Sequence, residues 1–204
     1  MDSDINTRIA ARLRGLRAAR GLTLDTLATR CGVSRSMISL IERGETSATA
    51  VVLERIAAGL GVALASLFEP TEATADPVSR RSDQAVWQDP ASGYVRRNVS
   101  PASPLTPIQI VEVTFPAGAH VTYDHVTYDH AASGTGGRAA PLHHQVWVLE
   151  GAIEVTVGDA SHALDSGDCL AFTLDRPTAY RNPHKHPARY AVVIVGSAGA
   201  WSKP

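Results

Sequence analysis

Along the first 68 residues apolar side chains recur every three or four positions and proline is absent, the pattern of short amphipathic helices. From Glu69 to Asp83 the chain reads EPTEATADPVSRRSD, polar, proline-containing and without an apolar period, which is the composition of a linker. Beyond it the period changes. IQIVEVTF (108–115), QVWVLEG (145–151), AIEVTVG (152–158), CLAF (169–172) and YAVVIV (190–195) are short alternating or β-branched runs broken by Gly, Pro and Asp. Such runs predict a β-barrel or sandwich. The chain therefore reads as multidomain α plus β: a helical domain over 6–68, a linker over 69–83 and a β-domain over 84–204 with its core at 105–197.

Within the helical part, Thr23 is a good N-cap for a helix over 24–30, with Asp25 in its first turn facing the helix dipole. Cys31-Gly32-Val33 makes a tight turn in which Gly32 supplies a positive φ, and Ser34 caps a second helix that ends before Gly44. Two short helices across a glycine turn form a helix-turn-helix. Ile38 and Ile41 share one face of the second helix, with Val33 entering beneath them. Arg35, Ser36, Ser39, Leu40 and Arg43 share the opposite face, the stripe that would enter a major groove.

Composition narrows the picture only a little. With 44% hydrophobic and 19% charged residues the 204-residue chain is ordinary for a soluble protein. No run of eighteen apolar residues and no signal-peptide core appear, so the expectation is a cytoplasmic protein with no membrane partner. Cys31 and Cys169 read as small buried hydrophobes, not as a disulfide. The net charge of −1 conceals nine arginines against seven carboxylates over residues 1–70, a balance that permits nucleic-acid binding without requiring it.

The stretch LTLDTLATRCGVSRSMISLIERGETSATAVVLERIAAGLGVALASLF (22–68) closely resembles the Cro/CI-type (XRE, lambda-repressor-like) helix-turn-helix domain. The resemblance rests on the LA…GVS turn, the I-x-x-I-E-R-G close of the second helix and the RIAAGLGV…LF tail, and it implies five helices over about 6–68. It further implies base contacts from Arg35, Ser36, Met37 and Leu40, and phosphate contacts from the Thr23 region, Arg43 and Thr46. Arg35 could grip guanine O6 and N7, and Leu40 a thymine methyl. Leu40 stands where many relatives carry a polar residue. The implied partner is double-stranded DNA, bound as a homodimer on an inverted repeat, because one recognition helix of this size buries too little for specific affinity.

The β-domain resembles the cupins, antiparallel jelly-roll barrels, through VWVLEGAIEVTVGDASHALDSGDCLAFTLDRPTAYRN (146–182). That family places His, His, Glu and a later His around a divalent metal. Counting back from Gly151, the Glu position falls on His144, and the H-x-H pair falls among Arg138, Ala139 and Ala140. After Pro177 the later His is replaced by Thr178, while the closing Asn182 is kept. A stable site generally needs three protein ligands, so no metal and no other cofactor is expected. His143 and His144 are adjacent in a strand, so only one of them can enter the barrel. His144, Val146 and Val148 share one parity, and Thr178, Tyr180 and Asn182 share another. These six either fill a closed core or line a pocket for a small-molecule effector; a pocket would give the DNA-binding half something to sense.

His120 to His130 reads HVTYDHVTYDH, the word VTYDH written twice. In one straight strand His120 and His130 would lie roughly 33 Å apart with His125 pointing away, so the three cannot share an ion there. A repeat of five is odd and reverses side-chain parity, so at most one copy fits the native strand. The repeat therefore reads as a duplication, with His120, His125, His130, His143 and His144 left as weak metal candidates. His162, His184 and His186 are expected in solvated turns. Three functions compete: a DNA-binding regulator with an effector-sensing barrel, a cupin enzyme tethered to a DNA-binding domain, and an interaction module whose barrel only dimerises or docks a partner.

Overall fold

The computed structural model describes residues 2–69, 76–101, 108–124 and 142–195. Helix α1 (Asp2–Ala19) is followed by α2 (Leu24–Cys31), α3 (Arg35–Glu42) and α4 (Ala50–Leu60). Thr23, Ser34 and Thr49 cap the last three, each side chain accepting from the backbone N–H three residues on. Gly32 ends α2 at φ 65°, as the turn requires. Gly59 allows α4 to lie against α2: a Cβ there would come within 2.8 Å of the Cys31 Cβ. Leu13, Leu27, Ile38, Leu53 and Ile56 fill the core of this domain.

The expected fifth helix is a correction. LASLF (Leu64–Phe68) is a 3-10 helix, because five residues are too few to propagate an α-helix and the tighter form is used in short pieces. The resemblance otherwise holds in order and spacing.

Among the described residues ten strands follow, all paired antiparallel: β1 (Val86–Gln88), β2 (Val95–Asn98), β3 (Ile108–Phe115), β4 (His120–Tyr123), β5 (His143–Glu150), β6 (Ala152–Val157), β7 (Ala160–Asp165), β8 (Cys169–Thr173), β9 (Thr178–Arg181) and β10 (Ala188–Val195). They form a six-stranded sheet, β1-β2-β3-β10-β5-β8, and a four-stranded sheet, β4-β9-β6-β7. This is the two-sheet, cupin-type jelly roll that the β-domain resemblance implies. Val111, Val113 and Phe115 from β3 meet Val146 and Val148 from β5, Ile153 and Val155 from β6, and Tyr190 from β10 in its interior.

Two details depart from the sequence reading. Cys169 is exposed, because on β8 Leu170 and Phe172 take the half-buried face and leave Cys169 to the outer one; Cys31 is buried as expected. His162 lies in strand β7, not in a turn, though it is exposed; His184 and His186 are exposed in the β9–β10 connection. Among the described residues no helix is long and apolar enough to cross a membrane.

The two domains are joined by specific bonds. Asp89, buried just after β1, accepts the Ala50 N–H at 2.8 Å through Oδ1, adding a carboxylate to the positive end of α4. Its Oδ2 accepts from the Ser92 N–H at 2.8 Å and the Ser92 hydroxyl at 2.6 Å. Arg55 of α4 pairs with Asp124 beyond β4 at 3.0 Å. Phe68 packs its ring 5.4 Å from that of Trp87 on β1. The apolar core is continuous across this junction.

Candidate functional site

Helix α3 is anchored from behind. Ile38 and Ile41 are buried, and Glu42 takes both guanidinium nitrogens Nε and Nη2 of Arg17 at 2.6 and 2.7 Å. This bidentate pair with a largely buried carboxylate raises the Arg17 pKa and fixes the end of α3 against α1. The outer face is open: Arg35, Ser36 and Met37 are exposed, Ser39 and Leu40 half-buried. Thr23, Arg43 and Thr46 border it, Thr23 through its cap at the start of α2.

Among the described residues, the ion-pair partners of the cations on this face are exposed carboxylates. Arg35 pairs with Asp25 at 3.2 Å, with 63% and 76% of their side chains accessible. Arg43 pairs with Glu45 at 2.6 Å and also reaches the Ser39 hydroxyl. Solvated pairs of this kind contribute little to stability, so both guanidiniums can exchange their partners for a phosphate or a base edge at small cost. The stripe presents two arginines on a helix whose opposite face is buried.

A second site lies inside the β-domain. A cavity that opens to solvent is walled by the inner faces of both sheets and by Glu54, Ala63, Leu64 and Ala65 of the helical domain. Its barrel wall is aromatic. The rings of Tyr180 and Tyr190 stack at 5.9 Å and 7°, and Tyr123 meets Tyr180 edge-on at 6.2 Å. The Tyr94 and Tyr123 hydroxyls are 3.1 Å apart. Burial pushes the pKa of all four phenols upward, so they stand neutral as hydrogen-bonding groups.

Of the residues expected to face a pocket, His144, Thr178 and Tyr180 line this cavity. Val146 and Val148 point to the same side of β5 but lie deeper, fully buried in closed core. Asn182 is also buried away from the cavity: its Nδ2 donates to the Phe115 and His186 carbonyls, and its Oδ1 accepts the His184 N–H, so it staples the β9–β10 turn. Among the weak metal candidates, His143 is exposed beside Thr173 and His120 is exposed on β4 beside Thr122. His125 and His130 lie outside the described residues. Among the described residues no three His, Cys, Asp or Glu side chains cluster at metal-binding range. The first VTYD sits at the end of β4, with Val121 and Tyr123 facing inward and Tyr123 in the cavity wall; the second copy lies outside the described residues.

Sequence reasoning missed Tyr94, Arg96, Tyr123 and Tyr190, all in this wall. The Arg96 residue is 7% exposed. Charge alone assigns both arginines of GYVRRN to solvent, but register places the first of them inside: Arg96 sits opposite Val113, which is opposite Tyr190, which is opposite Val148. Its guanidinium lies 4.9 Å above the Phe68 ring, and burial lowers its pKa.

A helix-turn-helix domain model matches residues 8–67. Over 186 residues the chain is 26% identical to the HTH-type transcriptional regulator SutR of Escherichia coli (strain K12), a match covering 91% of this chain and 93% of that protein. Over 71 residues it is 32% identical to the uncharacterized HTH-type transcriptional regulator y4dJ of Sinorhizobium fredii (strain NBRC 101917 / NGR234), covering 35% of this chain and 92% of that one. The crystal structure of an HTH_3 family transcriptional regulator from Vibrio cholerae aligns with a TM-score of 0.72 at 26% identity, over 96% of this chain and 98% of that chain. The likeness to that structure spans both domains.

Proposed function

This chain belongs to the helix-turn-helix transcriptional regulators, and from that premise, with a β-domain that resembles the cupins, we propose how its two sites are used. Helix α3 enters the major groove, Arg35, Ser36, Met37 and Leu40 meet base edges, and Thr23, Ser39, Arg43 and Thr46 fix the register on the backbone. Two copies bind an inverted repeat in the cytoplasm. The barrel acts as a sensor and not as an enzyme: a small organic molecule enters the tyrosine-lined cavity and biases the helical domain that forms part of its wall. The observation that carries the DNA reading is the exposed stripe of α3, whose arginines form ion pairs with solvated carboxylates.

Selection of bound duplexes from a random library by the full chain tests it. The expected result is an enriched inverted repeat with half-site centres about 34 Å apart. Enrichment of a lone half-site bound by a monomer would overturn the dimer, and no enrichment would overturn the reading. A thermal-shift screen against neutral, cationic and anionic metabolites tests the sensor, since a ligand of the native state raises apparent stability.

A further inference from the structure

Arg96 lines the cavity, is buried, and among the described residues has no hydrogen-bond partner for Nε or Nη2. Among the described residues no carboxylate forms an ion pair with it. Its visible compensation is the Phe68 ring beneath the guanidinium, which faces the cation but fills none of its in-plane donors. A buried guanidinium with open donors costs stability, and a protein keeps such a group where a partner arrives from outside. The donors of a guanidinium form a planar fork that matches a two-oxygen anionic head.

The surroundings define the rest of the molecule. The nearby wall is made of Tyr94, Tyr123, Tyr180 and Tyr190, whose ring faces suit an apolar or aromatic body. Arg96 brings one positive charge to the wall, which matches a single negative charge on the ligand. We propose that the barrel ligand is a small monoanion, a compact anionic head gripped by Arg96 joined to an apolar body packed among the tyrosines. This rests on the sensor reading above and specifies its ligand class. Because the guanidinium rests on Phe68, the last residue of the 3-10 helix, an anion drawn to Arg96 acts at the junction between the two domains.

The test uses the full chain and matched probes in a thermal-shift and calorimetric series: benzoate beside benzamide, phenylacetate beside phenylacetamide, and 4-methylpentanoate beside its amide. Benzenesulfonate and phenyl phosphate separate a carboxylate-type head from other anions. The expected result is saturable stabilisation by carboxylates, none by their neutral amides, and weaker binding of the doubly charged phenyl phosphate. Arg96→Met should abolish the anion effect, a loss of about tenfold or more in affinity, while leaving the ligand-free protein as stable as before or more so. Arg96→Lys should keep weakened binding, having charge without the fork. The wild-type pairs decide the matter even if a variant misfolds: stabilisation by amides as strong as by acids would overturn the proposal. Undiminished anion binding by Arg96→Met would do the same. If only neutral or cationic metabolites stabilise the protein, the sensor reading stands and the monoanion fails; if nothing of any charge does, both fail.

Discussion

Arg35 on the recognition helix leaves 63% of its side chain open to water, whereas the Arg96 residue in the barrel is 7% exposed. The same side chain is set to two tasks by its surroundings. On α3 the guanidinium is exposed and paired with a solvated carboxylate, which suits a polyanion that arrives from outside and displaces that counter-carboxylate. In the barrel it is buried and packed on Phe68, with Nε and Nη2 unpaired among the described residues, which suits one small ligand that enters and takes those donors. Surface charge provides reach and exchange; buried charge provides selection. The junction that carries Asp89 and Phe68 is where the two tasks meet.

The largest effect that can sharpen this contrast lies behind the recognition helix. Glu42→Ala strands Arg17 and frees the end of α3, and a melt should show a loss of about 2–3 kcal/mol after allowing for solvent at Arg17. If the loss is negligible, α3 is held by its apolar face alone. Arg35→Ala, on the exposed side, should leave the melt unchanged but lower discrimination at one base pair by about 1–3 kcal/mol in binding titrations. At the junction, Asp89→Ala removes the carboxylate from the start of α4 and should cost about 1–2 kcal/mol, read by denaturant unfolding. Asp89→Asn, which keeps an acceptor, should recover most of it.

The smallest effect concerns the duplicated word. Deleting residues 126–130 leaves β4 intact and should shift stability by under about 1 kcal/mol, with DNA binding unchanged. A melt showing loss of the β-domain would mean that the second copy is part of its sheet.

The helical domain was legible because its signals are local. Caps at Thr23 and Ser34 and the turn at Gly32 lie within a few residues of what they control. Only the last helix misled, since the apolar pattern of LASLF does not reveal that five residues favour a 3-10 turn. In the β-domain, alternation found β3, β5, β6, β8 and β10 and the inward parity of His144, Thr178 and Tyr180. It could not give depth: two and four residues along from His144 the same face is closed core, so Val146 and Val148 never reach the cavity. Nor could it place Arg96, whose charge reads as solvent-facing until cross-strand register sets it beside Val113. The Asp89 bond to α4 joins groups 39 residues apart, beyond any short-range pattern.

The central claim is that α3 reads DNA sequence through its exposed stripe. A competition titration of the full chain, at one fixed salt concentration, between the selected inverted repeat and a scrambled duplex of equal length tests it most directly. The account predicts a preference for the selected duplex of about a thousandfold or more. Arg35→Ala should narrow that preference at one base pair while keeping its affinity for the scrambled duplex nearly intact. Equal affinity of the wild-type protein for the two duplexes would contradict it.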